Sequence, residues 1–392
     1  MSRLGDVASF VRGITFKPDD VVPVGTTGSV ACMRTKNVQS ELDLSDVWGI
    51  PEEFVKRDDQ NLRPGDLLVS SANSWNLVGK CCRVPELPWR STFGGFISVL
   101  RGDMSRIEPR YLYHWFSSSR IQATVRSFGQ KTTNISNLNI ERCLNLPLPL
   151  PPLPEQRRIA EILDKADALR AKRRAVLAQL DTLTQSIFLD MFGDPATNPK
   201  EWPRLQLGDL SDKVKTWNPT SKPQDEFIYI DIAAIDQVRK RITGARRILG
   251  TDAPSRARQQ VCTGDVLIST VRPNLNAVAT IDDHLDGATA STGFCVLRPR
   301  ETRINSAYLF ALVRHDAFIG AMVRQASGAS YPAVTDAIVR AWLAPCPPIE
   351  LQREYARRMK GLARVQARGE ASLDEFEGLF ASLQHRAFRG EL

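Results

Sequence analysis

The 392 residues exceed what a single hydrophobic core usually organises, and with 42% hydrophobic and 24% charged residues they exclude a disordered or fibrous chain. A net charge of +8 points to a polyanionic partner, because clustered Lys and Arg gain free energy by releasing the counterions of phosphates. Seven cysteines and four histidines show no CxxC pair and no metal-ligand spacing, so no metal site is expected and the thiols fit a reducing cytosol.

The opening MSRLGDVASFVRG lacks the apolar run of a secretory leader, and no stretch approaches the roughly 18 apolar residues of a membrane span, so the expected location is the cytoplasm. Next come LLVSS after a Pro-Gly turn at Gly65 and Asp66, and GFISVL, both short runs of strand formers. PRYLYHWFSSSRIQATV then has apolar residues at helical intervals. The run LPLPLPPLP follows as a stiff extended exit, since proline lacks an N–H, disfavours helix in the residue before it and is tolerated at a helix start.

From Glu155 the grammar changes. Ile159, Ala166, Leu180 and Ile187 recur at heptad spacing with Arg173 interrupting, and Ile162, Leu169, Val176 and Leu183 form a second series. Together they predict a coiled-coil seam on a helix ending near Phe192, about 57 Å long at 1.5 Å per residue.

After that helix the chain repeats itself. QLGDL at Gln206 returns to RLGDV at Arg3, VCTGDVLIST around Asp265 to LRPGDLLVSS around Asp66, and STGFCVLR to GGFISVLR. YLFALVRH follows YLYHWFSS, and PPIELQREYARRM at Pro347 follows PPLPEQRRIAEIL at Pro151. Short chance matches would not share one offset of about half the chain, so the sequence is a tandem duplication. The last helix carries Tyr355, Leu362, Phe376 and Leu383 on one series and Val365 and Leu379 on another, with Gly361, Gly369 and Gly378 each costing up to about 1 kcal/mol of helix propensity.

The expected fold is therefore α+β: two similar globular domains joined by long helices that form an antiparallel coiled coil with pseudo-two-fold symmetry. The boundaries are residues 1–150 for the first domain, 151–195 for the central helix, 196–346 for the second domain and 347–392 for the terminal helix.

Base readout needs Arg for guanine and Asn or Gln for adenine at loop positions, with Ser, Thr and Lys on phosphates. The first domain offers Arg34, Lys36, Asn37, Asn73, Asn76, Lys80, Gln130, Lys131, Thr132 and Asn134. The second offers Arg239, Lys240, Arg241, Arg246, Arg247, Arg272, Asn274, Asn276, Ser330 and Tyr331. VSSANSWNLVGK and ISTVRPNLNAVA occupy the same place in the two repeats yet differ at polar positions, as two readers of different sequences require.

The order of domain, PLPEQRRIAEIL, SIFLDMFGD, domain and PPIELQREYARR resembles the specificity subunit of type I restriction-modification systems over essentially the full chain. That resemblance implies a sequence-specific DNA-binding subunit without catalysis. It would read a split, asymmetric target with two target recognition domains and set the gap with helices. It also implies double-stranded DNA, two modification subunits that methylate adenine from S-adenosylmethionine, and ATP-dependent restriction subunits requiring Mg as partners, with no cofactor on this chain. Two alternatives compete: a DNA methyltransferase or nuclease in its own right, and a coiled-coil adaptor that does not touch DNA. The first lacks a GxxxxGK[ST] loop, an Asn/Asp-Pro-Pro-aromatic motif and a Gly-rich cofactor turn; the second leaves the basic loops unexplained.

Overall fold

Gly65 and Gly264 adopt φ of +90° and +87°, a left-handed conformation that a Cβ resists, and each opens the strand that follows. Beside them Asp66 and Asp265 are buried, and each carboxylate accepts a turn N–H, from Arg63 and Cys262 respectively, both at 2.8 Å. Each also takes a forked arginine from the neighbouring strand, Arg101 at 2.7 and 2.6 Å and Arg298 at 2.9 and 2.7 Å. The same turn and ion pair thus begin the central strand of both repeats.

The computed structural model describes residues 2–131, 135–328 and 330–392, with only the backbone of Gln130 and Lys131. They divide into two compact units, one of Met1–Ala175 with Glu370–Leu392 and one of Val176–Gly369. In the first unit an antiparallel sheet runs in the order Ala8–Arg12, Ile97–Gly102, Leu67–Ser70, Cys81–Arg83. A second sheet runs Val22–Pro23, Trp48–Pro51, Ser29–Met33, Ser91–Phe93, with its last pair parallel. The second unit repeats the first sheet with Ser211–Asp212, Phe294–Pro299, Val266–Ser269, Val278–Thr280, and its second sheet runs Arg246–Leu249, Glu226–Ile230, Thr289–Ser291, Ala257–Gln260, with the two middle strands again parallel.

Each predicted apolar helix is a pair. The first repeat has α1 (Pro109–Phe116) and α2 (Ser119–Ser127), then α3 (Ile140–Leu144) and the 40-residue α4 (Leu153–Phe192). The second repeat has α5 (Ser306–Arg314) and α6 (Asp316–Gln325), then α7 (Asp336–Ala341) and the 39-residue α8 (Ile349–Ala387). The breaks fall where Ser118 returns its hydroxyl to the Trp115 carbonyl and where His315 Nδ1 accepts the Ala317 N–H.

The proline exits are bound at two points. Tyr111 and Tyr308 donate their hydroxyls to the carbonyls of Pro149 and Pro345, both at 2.9 Å. Five residues past the first proline of each PP run stands a buried glutamine. Gln156 Nε2 donates to the Pro151 and Arg106 carbonyls, and its Oε1 accepts the Glu108 N–H. Gln352 makes the same three bonds, to Pro347, Arg303 and Asn305.

Counting from these glutamines, both long helices show an unbroken 3-4 alternation of covered positions. In α4 these are Gln156, Ile159, Leu163, Ala166, Arg170, Arg173, Leu177, Leu180, Thr184, Ile187 and Met191. In α8 they are Gln352, Tyr355, Met359, Leu362, Gln366, Gly369, Leu373, Phe376, Phe380, Leu383 and Ala387. Within the first unit the start of α4 packs antiparallel to the end of α8, where Arg170 bridges Glu377 at 3.2 Å and lies 3.9 Å from the Phe380 ring centre. Within the second, Phe188 and Phe192 meet Tyr355 at 5.8 and 5.3 Å.

One predicted series is therefore displaced. Leu169, Val176 and Leu183 are 49%, 43% and 44% exposed, as are Val365 and Leu379 at 53% and 52%, while Ile162 is half-buried. The inward row lies one residue further on and is partly charged: Arg170 is sheltered by its ring and its carboxylates, which a rule seeking apolar residues passes over. Ile159, Ala166, Leu180, Ile187, Tyr355, Leu362, Phe376 and Leu383 do face inward.

Gly369 is in the seam, where a Cβ would come within 2.9 Å of Leu177 Cδ2, whereas Gly361 and Gly378 have open space. Gly361→Ala and Gly378→Ala should each stabilise the chain by up to about 1 kcal/mol in urea titrations. Gln156→Leu and Gln352→Leu, which strand buried backbone groups, should each cost roughly 2–3 kcal/mol in the same measurement.

Candidate nucleic-acid interface

Strands Ser29–Met33 and Leu67–Ser70 end on the same side of the first unit, and the segments that follow them carry most of the polar residues singled out from the sequence. A three-stranded ribbon of Gln130–Lys131, Ser136–Asn137 and Ala72–Asn73 joins the loop after the second of these strands to the loop before α3. Lys80 Nζ donates to Gln39 Oε1 at 2.6 Å, linking that loop to the one after Met33. Residues 34–39, 72–80, 130–131 and 135–137 therefore form one surface. Thr132 and Asn134 lie outside the described residues, and Gln130 and Lys131 are placed there by their backbone alone.

The second unit assembles its surface in the same way. Val271 bridges Ala333, which bridges Ser327, so the loop after Ser269 again joins the loop before α7. Arg272 lies 4.6 Å from the ring centre of Tyr331, itself 68% exposed, and Lys240 donates its ammonium to the Asn276 carbonyl. Burial, reinforced by the charge of Arg314, holds the Lys240 ammonium below its usual pKa. Arg239, Asn274 and Ser330 are exposed in loops, and Arg241 and Arg247 are exposed on the strands Arg241–Ile242 and Arg246–Leu249. Arg272 and Asn276 take φ of +51° and +44°, strained values for side-chain-bearing residues, and the Asn276 Oδ1 is buried without a hydrogen-bond partner.

Not every predicted reader is free to read. Asn37 is buried: its Oδ1 accepts the Arg34 N–H at 2.7 Å, and its Nδ2 donates to the carbonyls of Asp43 and Asp46 at 2.7 and 3.0 Å. It is the pin of a turn rather than a base reader. Asn73 is half committed to its own loop, donating to Ser70 Oγ and accepting the Ser74 N–H, and Asn76 accepts the Ser74 hydroxyl. Lys36 pairs with Asp46 at 2.7 Å while remaining largely exposed.

The two surfaces differ most at positions matched by strand register. Arg34 follows Met33 and Asp231 follows Ile230, the ends of equivalent strands; Trp48 pairs with Cys32 as Arg246 pairs with Tyr229. In the first unit Arg34 lies 3.5 Å from the Trp48 ring centre. In the second the same two positions hold an Asp231–Arg246 ion pair at 2.9 Å. Arg34 and Arg246 stand out in the sequence singly; their partners Trp48 and Asp231 carry no motif and appear only when the strands are paired.

Beside Arg34 and Trp48 is an open-sided cavity of about 540 Å³, lined also by Phe16, Lys36 and the hairpin Gly94–Ile97. Among the described residues no cluster of His, Cys, Asp or Glu could hold a metal ion, and no helix is long and apolar enough to cross a membrane. Five of the seven cysteines are buried, and burial pushes the thiols of Cys32, Cys82 and Cys143 up to about 12, which makes them poor nucleophiles.

Residues 1–179 match the family model described as the type I restriction modification DNA specificity domain. The chain is 23% identical to the type I restriction enzyme StySPI specificity subunit of Salmonella potsdam, across 98% of this chain and 87% of that one. It is 24% identical to the EcoKI specificity subunit of Escherichia coli K12, across 100% and 89%. The crystal structure of the type I restriction-modification S subunit from M. genitalium aligns over 99% of this chain and 95% of its own with a TM-score of 0.55 at 14% identity, a likeness of fold.

Asn37→Ala should lower the thermal unfolding midpoint, with a loss of about 1–3 kcal/mol, because three turn bonds go with it. Arg247→Ala should leave that midpoint unchanged and weaken binding to any duplex while reducing the salt slope by about one.

Proposed function

We propose, from the premise that the chain belongs to the specificity subunits of type I restriction-modification systems, that it reads a split, asymmetric DNA target. Each unit reads one half, and the paired helices set the gap. The observation that carries this reading is the register match of Arg34 and Trp48 with Asp231 and Arg246: one scaffold presents different chemistry at equivalent tips. Two readers of one sequence would have no reason to differ there, whereas two readers of different half-sites must.

Recognition is then the chain's whole task. Methyl transfer from S-adenosylmethionine and ATP-driven cleavage with Mg belong to modification and restriction subunits. The outer stripes of α4 and α8, with Leu169, Val176, Leu183, Val365 and Leu379 exposed, are apolar surface for the two modification subunits to cover. The loops supply cations to phosphates and base edges, and the affinity they give falls steeply with salt.

The spacer makes a sharp prediction. Because both seams alternate 3-4 from their glutamines, one heptad inserted into each helix preserves the packing and adds roughly 10 Å, or about three base pairs. Methylated-adenine sequencing in cells carrying this chain and its partner subunits should then report both half-sites unchanged and the gap wider by about three. An unchanged gap sinks the spacer role. The purified chain alone should transfer no methyl group; transfer without partners would restore the methyltransferase alternative.

A further inference from the structure

The first unit's cavity has no use in a reading limited to groove-edge hydrogen bonds. Its walls are flat and apolar: Phe16 packs edge-on to Trp48 at 6.3 Å, and the Arg34 guanidinium lies over Trp48 at 3.5 Å. Phe96 lines the same cavity and is 64% exposed, at the tip of the hairpin between Ser91–Phe93 and Ile97–Gly102. Its backbone is anchored, since its carbonyl accepts the N–H groups of Ser71 and Ala72 at 2.9 and 3.2 Å. A large ring held by a fixed backbone, yet mostly open to solvent, stands at the junction of the recognition loops.

Charge favours a polyanion's approach. Arg34 and Lys36 border the cavity and share a single counter-charge, Asp46, at 3.0 and 2.7 Å. The Arg34 Nε is buried without a hydrogen-bond partner, an unmet donor among rings. Aromatic faces and an arginine plane around a concave site, with a surplus cation, are the chemistry that receives a flat heteroaromatic ring bearing a phosphate.

We infer that the first unit takes one base of its half-site out of the duplex stack and holds it in this cavity, against Phe96 and the Arg34–Trp48 platform. The inference rests on the recognition role proposed above. The second unit lacks the device: the register that matches Ile97 with Phe294 places Gly293 where Phe96 stands, and Asp231 and Arg246 occupy the positions of Arg34 and Trp48. Base extrusion by the recognition units is accordingly confined to one half-site.

Mismatch scanning tests this. The chain assembled with its modification subunits is titrated with target duplexes in which each base of both half-sites, the adenines methylated by those subunits excepted, is opposed, one at a time, by a non-complementary partner. The half-site read by each unit is assigned by exchanging the units. Extrusion costs least where pairing is already lost, so one mismatch in the first unit's half-site should tighten binding by roughly tenfold, and none in the second's. Phe96→Ala should abolish that gain while leaving the thermal unfolding midpoint and discrimination in the other half-site unchanged.

Sequence-specific binding in which every mismatch weakens or leaves affinity unchanged overturns the inference and leaves the recognition role standing. A gain in both half-sites, or one that survives Phe96→Ala, also overturns it, since it would report DNA flexibility alone. Absence of any sequence preference in the assembled complex overturns both.

Discussion

A buried side-chain amide fixes where each long helix begins. Gln156 and Gln352 each satisfy one carbonyl of the proline exit together with a carbonyl and an N–H of the loop that leads into α1 or α5, and so tie the two segments to each other. An unmade hydrogen bond at a buried site costs more than a made one contributes, so the amide tolerates little displacement. Because the inward positions of α4 and α8 count from these residues in an unbroken 3-4 alternation, the staple sets the rotation of the whole helix and not merely its start.

The same logic separates what the two repeats share from what they do not. Turn, ion pair, tyrosine clasp and glutamine staple recur with nearly equal distances: Asp66 with Arg101 and Asp265 with Arg298, Tyr111 on Pro149 and Tyr308 on Pro345. Asp66, Asp265, Tyr111, Tyr308, Gln156 and Gln352 are all buried. The strand ends that face solvent carry different residues in each unit, among them Trp48 against Arg246. Stability is invested in the shared parts, which leaves the tips free to vary without unfolding the scaffold.

Much of this was legible in the sequence, because a tandem repeat displays its own scaffold: matching strings revealed the turns at Gly65 and Gly264, the central strands and both proline exits. Other features needed three dimensions. The outward placement of Leu169, Val176 and Leu183 went unread because the inward row contains Arg170, whose burial depends on a ring and a carboxylate two hundred residues away. Asn37 looked like a base reader because nothing in MRTKNVQ tells a loop amide that faces solvent from one that pins its own turn. The ring of Phe96 had no motif at all, and its contrast with Gly293 appears only once the hairpins are aligned by strand register.

The first unit is made of two pieces, Met1–Ala175 and Glu370–Leu392, while the second is one uninterrupted stretch. Phe380 and Ala387 belong to the same core as Leu67, Trp115 and Leu163, so that core stays open until they are made. On the ribosome, then, the unit begun first is the one finished last. Its apolar face waits through the synthesis of nearly two hundred intervening residues, and the second unit can close while the first is still incomplete. Order of synthesis and order of folding are thereby reversed, and the burden of protection during that interval falls on the half of the molecule that the ribosome makes first.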